Sequence, residues 1–183
     1  MQYFLYLILA LILASCAGGI SSIYSTAYPL TTETAKAKTS SLSVKIPEGW
    51  FAAEDNEQKL IDLWLIKDDY SAALNFVALN VDSLTMKEIQ NDELKSIVEL
   101  SQTFKKAKYG KALTNFTNQE FFEINKKHFA AYEYLNDSKK NIRVVVFKIG
   151  NKFYELSAVP YKTENLSELY KIQNSVLASI RDF

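Results

Sequence analysis

The chain holds one histidine, His128, and one cysteine, Cys16. These two residues bound the chemistry open to it. A serine–histidine–acid system would have to recruit His128, which follows Lys126 and Lys127 where a turn enters a strand. That setting predicts an exposed or half-buried turn histidine, with a weak metal contact or a pH-sensing role as the alternative. A single histidine leaves no multi-histidine metal site or cofactor to expect. The neighbouring carboxylates Asp68 and Asp69 close an apolar run. Adjacent strand residues point to opposite faces, so they suit a solvated turn better than paired-carboxylate catalysis. Glu54, Asp55 and Glu57 read the same way. Glu133, between Tyr132 and Tyr134, is expected to face solvent or to pair with a lysine across a sheet. No glycine-rich phosphate loop, His-Glu-x-x-His or Gly-x-Ser-x-Gly pattern occurs in the sequence. The expectation is a protein that is not an enzyme.

Cys16 is placed for a different reaction. Residues 3–14 form an unbroken apolar run of twelve, short of the roughly 20 needed to span a bilayer as a helix but suited to a signal-peptide core. The run closes on Leu13, Ala14, Ser15 and Cys16, which resembles the lipobox of bacterial lipoproteins. The resemblance implies cleavage before Cys16 and a diacylglyceryl group on its sulfur, with acyl chains such as palmitate holding the product on a membrane. Each buried methylene adds about 0.8 kcal/mol, so two or three chains anchor firmly. Ala17 stands where an Asp often retains such proteins at an inner membrane, which points to the outer membrane, facing the periplasm.

The positioning elements follow from the rest of the chain. Ten of the 25 residues over 17–41 are Ser or Thr, and no helix or strand period runs through them. The segment 16–41 is therefore expected to be a lipidated cysteine on a flexible tether reaching roughly 25–30 Å, in which Ile23, Tyr24, Tyr28 and Leu30 could dock. Residues 42–183 are expected to form one globular domain, leaving 1–15 as the signal peptide. Strands are predicted over 42–46, 60–66, 73–81, 113–124, 128–135, 142–149 and 152–159. Helices are predicted over 85–106, with a capping box at Thr85 and Glu88, and over 165–180. The stripe Ile89, Leu94, Ile97, Val98, Leu100 and Phe104 carries the first helix. The strands over 60–66 and 142–149 are apolar on nearly every position, so they need cover on both faces. The predicted class is α+β: a three-layer α/β/α sandwich around a mainly antiparallel sheet of about six to seven strands, in the order β-β-β-α-β-β-β-β-α.

Charge narrows the partners. Twenty-one basic residues balance 21 acidic ones, and only Arg143 and Arg181 are arginines. Arginine is the side chain suited to bidentate phosphate and guanine contacts, so nucleic acid is not an expected partner. The lysine clusters at 105–108, 126–127 and 139–140 read as solvation of turns and helix ends, with contact to anionic headgroups as the alternative.

Three segments together carry a family resemblance. They are Val44-Lys45-Ile46-Pro47-Glu48-Gly49-Trp50, Phe153 to Pro160 with Tyr154 inside it, and the closing stretch Ser175 to Ile180. With the element order over 42–183 they resemble PsbP-like domains, a group that includes a photosystem II extrinsic subunit, a nuclear Ran-binding protein and DcrB-type bacterial lipoproteins. The resemblance implies an α/β/α sandwich and a habit of binding other proteins, with no shared catalytic residues. Trp50, Phe51, Tyr154 and Tyr161 are the candidate binding residues, since tyrosine and tryptophan suit interfaces. Trp50 is otherwise a core cover whose indole N–H meets a backbone acceptor. The expected function is a membrane-anchored envelope lipoprotein that binds a partner protein. The alternative is a small-ligand carrier with a pocket lined by Trp50, Trp64 and tyrosines.

Overall fold

The structure, a computed structural model, describes residues 24–38, 40–53, 61–81, 93–110, 113 and 115–181. The lipobox Leu13 to Cys16, the capping pair Thr85 and Glu88, and the acidic residues 54, 55 and 57 lie outside the described residues.

The described residues form the strands β1 (Leu30–Lys36), β2 (Ser43–Pro47), β3 (Trp50–Ala53), β4 (Leu63–Lys67) and β5 (Ala72–Leu79). Helix α1 (Glu93–Tyr109) follows, then β6 (Phe116–Ile124), β7 (Lys127–Leu135), β8 (Asn141–Ile149), β9 (Lys152–Pro160) and α2 (Leu166–Ala178). β1 and β2 pair in a small sheet, and the other seven strands form one sheet in the order β3-β4-β5-β9-β8-β7-β6. Each pairing is antiparallel. Two meanders, β3 to β5 and β6 to β9, are thus joined edge to edge where β5 meets β9. The expected sandwich is present, with α1 on one face of the sheet and α2 with β1 and β2 on the other. Five strands precede α1 where three were expected, because β1 and the short edge strand β3 form only by pairing with β2 and β4.

Period-two alternation explains both layers. On β8, Val144 and Val146 pack under α1 with Ile97, Val98 and Tyr132. Val145 and Phe147 point the other way, into a larger core with Leu65, Phe76, Phe129, Leu156 and Val176. A strand buried on both faces has no room for polar alternation. The hairpin turns use local chemistry. Asn125 and Lys126 both hold positive φ, 51° and 63°, as a two-residue turn of right-twisted strands requires. Gly150 does the same at 56°.

The segment expected to be a tether is in part a strand. Ala35 pairs with Val44 and Lys36 with Ser43, and Ala35 and Ala37 are buried. The Tyr28 amide donates to Ser175 Oγ at 3.0 Å, which ties this stretch to α2. Its composition resembles a linker, but Thr31, Thr32 and Thr34 are β-branched and suit a pleated surface. Thr31 Oγ1 donates to the Ile46 carbonyl at 3.0 Å. The stripe on α1 is also shifted. Phe104 is exposed, while Ile97, Val98 and Ser101 face inward.

Candidate functional site

Exposed aromatic side chains gather at one end of the β3 edge. Phe51 lies on β3 opposite Ile66 of β4. Tyr70 sits in the β4–β5 turn, 61% exposed, and its ring meets Phe51 edge to face at 5.9 Å and 71°. Tyr161 is exposed just past β9, and its amide donates to the carbonyl of Ser71 at 2.9 Å. Partial burial alone raises the Tyr161 pKa above the usual phenol value. Three segments distant in sequence therefore bring Phe51, Tyr70 and Tyr161 to one end of the sheet.

The turn that carries Tyr70 is built from acids. Asp69 accepts the Ser71 amide at 2.9 Å and pairs with Lys67 at 3.3 Å. The Ser71 hydrogen bonds, more than Lys67, hold its carboxyl below the usual range. Tyr70 itself has φ of 56°, a left-handed conformation that a bulky side chain adopts at a cost of about 1–2 kcal/mol. An exposed aromatic kept at a position suited to Gly or Asn points to a function for the ring.

Two of the four residues chosen from sequence do not belong to this surface. Trp50 is 6% exposed. Strand alternation turns it into the α2 core with Leu169 and Ile172, while Phe51 turns outward. Its indole N–H meets no backbone acceptor, and the polar group beside it is the Tyr28 hydroxyl. Tyr154 is 1% exposed and stacks on Phe147 at 5.7 Å. The space beside Trp50 is about 10 Å³, room for roughly one water, and that beside Trp64 is about 200 Å³. Tyr70 was missed. Its only signal is an aromatic directly after Asp68-Asp69, in a turn otherwise made of turn-forming residues.

A second cluster lies at the opposite edge, β6. Arg143 of β8 is fully buried. Its guanidinium donates to Gln173 Oε1 at 2.7 Å, Asn174 Oδ1 at 3.0 Å and Glu120 Oε1 at 2.9 Å. It sits between two rings, 5.2 Å from the Phe122 centroid and 5.4 Å from that of Tyr170. Glu133 faces Arg143 across the strands. It accepts from Asn141 instead of meeting solvent or a lysine. Burial, then the charge of Glu133, raises the Tyr170 pKa far above its ordinary value. Tyr24 donates to Glu120, and its ring lies 5.7 Å from Phe122. The sequence signal for this network is a lone arginine inside the apolar strand β8.

Beside these lies an open cleft of about 900 Å³, lined by Leu94, Phe121, Phe129 and His128 among others. His128 is exposed, as expected, with Nδ1 3.7 Å from Glu123. Phe121 is 53% exposed.

Under α1, Ser101, Lys105, Tyr132 and Glu155 form a third polar group. Ser101 Oγ and Lys105 Nζ each donate to Glu155 at 2.5 Å, and Ser101 also meets the Tyr132 hydroxyl. Burial, with the charge of Glu155, raises the Tyr132 pKa. These types could serve a serine nucleophile, but Ser101 is wholly buried and no substrate reaches it. Their role is to satisfy a carboxylate that the helix covers, which is why Ser101 and Lys105 point inward at helical spacing. Among the described residues no cluster of His, Cys, Asp and Glu is placed to hold a metal ion.

No protein-family model matches the sequence, and no curated protein does. Among solved structures the chain is similar to the solution structure of cyanobacterial PsbP (CyanoP) from Synechocystis sp. PCC 6803. The identity is 15% and the TM-score 0.57, over 92% of this chain and 98% of that one. The PsbP-like fold expected from the sequence is thereby supported as a fold, and a fold does not specify an activity.

Proposed function

We propose that the chain is a bacterial envelope lipoprotein, acylated at Cys16, which serves without catalysis as a docking module for another envelope protein. The observation that carries the docking role is the gathering of Phe51, Tyr70 and Tyr161 at one sheet end. Rigid rings with few rotatable bonds lose little entropy on binding and often dominate interface energetics. Residues 13–16 supply the anchor by their lipobox pattern, with the outer membrane and its periplasmic side as the location.

Photo-crosslinking in intact cells tests this reading. A benzophenone side chain at position 51 or 70 should trap one reproducible protein, and the same probe at Phe104 on α1 should not. The Cys16→Ala variant should lose the crosslink together with membrane association. A probe at 51 and 70 that traps nothing while the protein stays on the membrane would sink the docking role.

A second reading is a small-ligand carrier. It is favoured by the cleft of about 900 Å³ at the β6 edge, a volume within the range of small-molecule sites. Native mass spectrometry of freshly purified protein decides it, since a carrier retains a defined extra mass.

A further inference from the structure

The β6 strand holds Tyr24, a residue close along the chain to the one that the lipobox would acylate. Tyr24 is fixed to β6 through its hydroxyl on Glu120 and its ring on Phe122. Cys16 lies eight residues before Tyr24. Eight residues span at most about 29 Å when extended, and about 16 Å on average as a coil. A lipid anchor at Cys16 would therefore hold the β6 edge, on average, nearer the headgroups than the β3 edge.

The surface at that edge has the chemistry of a bilayer interface. Phe121 projects from β6 toward solvent. Lys126 stands exposed in the turn. Lys127 begins β7, with its ammonium on the Ile180 carbonyl at 2.9 Å. Of the nearby carboxylates, Glu93 pairs with Lys148 at 2.7 Å and Glu120 with Arg143 at 2.9 Å, while Glu123 lies exposed with His128 Nδ1 at 3.7 Å. An exposed ring beside Lys126 and Lys127 matches an apolar interface under anionic headgroups. Phe51 lies six strand spacings away across the sheet, on the order of 29 Å, and Tyr70 in the β4–β5 turn lies beside it.

We propose that the β6–β7 hairpin end, with Phe121 and Lys126 foremost, rests on an anionic phospholipid surface and so turns the β3 edge outward. This orientation rests on the lipid-anchor reading and adds a specific contact to it.

The test uses the full acylated chain, extracted from membranes and reconstituted into vesicles of phosphatidylethanolamine and phosphatidylglycerol at about three to one. A Phe121→Trp variant and a Phe51→Trp variant are compared with and without brominated acyl chains, after subtracting the signal of Trp50 and Trp64. Bromine should quench the tryptophan at 121 at least twofold and leave that at 51 unchanged. In vesicles of phosphatidylcholine alone, or with Lys126→Glu, the quenching at 121 should fall at least twofold. Amide exchange of the unsubstituted protein supplies a second reading, with slowed exchange over residues 121–128 on vesicles and not in detergent. Equal quenching at both positions, or at 51 alone, overturns the orientation. Slowed exchange in detergent at high protein concentration assigns the face to a second copy and also overturns it. Mass spectrometry of the amino-terminal peptide separates the two levels. An unacylated Cys16 removes the anchor and the orientation together, whereas acylation without quenching at 121 removes the orientation alone.

Discussion

Phe51 and Tyr70 at the β3 edge meet each other edge to face on a four-residue strand and a turn. Phe122 at the β6 edge lies over a buried guanidinium that four other side chains surround, Tyr170, Gln173, Asn174 and Glu120. Both edges show aromatic rings, but only the second is tied to a buried charge. A ring on a short edge strand can change without disturbing the core. A ring that covers Arg143 cannot, because removing it takes one wall from a guanidinium buried in a low-dielectric interior. The β3 edge is thus the one whose rings can change at little cost to the fold, and the β6 edge is the one held constant by it.

The largest expected effect is at Arg143. Arg143→Ala should destabilise the protein by about 3–5 kcal/mol in urea denaturation, since Glu120 loses its cation and the inward amides lose their donor. Phe51→Ser should change stability by about 1 kcal/mol or less. If Arg143→Ala costs no more than Phe51→Ser, the contrast between the two edges fails. Pairing Arg143→Met with Glu120→Gln should recover part of the loss, because Glu120 then no longer lacks a cation, while Glu133 keeps its hydrogen bond from Asn141.

The next effect is alkaline. Burial raises the pKa of Tyr132, Tyr134 and Tyr170 in the folded chain. The folded state then keeps protons that the unfolded state releases above about pH 10. The stability these groups contribute is full below that pH and is lost as pH rises toward the folded values. The slope is about 1.4 kcal/mol per pH unit for each proton so held. Tyr170→Phe should remove about one proton from that slope between pH 10 and 11, as read by denaturation at several pH values. An unchanged slope would show that the tyrosine beside Arg143 is not shielded as its burial requires.

A smaller effect separates binding from stability. Phe51→Ser combined with Tyr70→Ser should weaken partner capture at least about tenfold, equivalent to about 1.4 kcal/mol, with little change in melting temperature. Loss of capture together with loss of fold would place these rings in the scaffold. The smallest effect is at Tyr70 alone. Tyr70→Gly should relieve the left-handed backbone and stabilise the protein by about 1 kcal/mol, while weakening capture. A destabilised Tyr70→Gly would mean that the ring contributes more to the fold than its conformation costs.

Much of the fold was legible because strand and helix periods are local. The β6–β7 turn at Asn125-Lys126, the apolar strand β8 and the α2 face from Leu169 to Leu177 all announce themselves. The strand β1 did not, because serine and threonine mark linkers and edge strands alike, and only pairing with β2 decides between them. The inward turn of Ser101 and Lys105 was hidden as well. Its cause is Glu155, which lies 54 residues from Ser101 in the chain.

The candidate site was half legible for the same reason. Aromatic type marked Phe51, Tyr161, Trp50 and Tyr154 equally, and the pleat then sent Phe51 outward and Trp50 inward. By itself the sequence determined the order of elements from β4 to α2, the two-sided burial of the sheet, the positions of the tight turns and the lipobox pattern at Cys16. Each of these depends on residues a few positions apart. Only the tertiary structure decided that Tyr70 joins Phe51, that Arg143 is the centre of a buried network, and that Tyr24 is held on β6. Those outcomes depend on which strands become neighbours, and long-range pairing is set by the packing of the whole core.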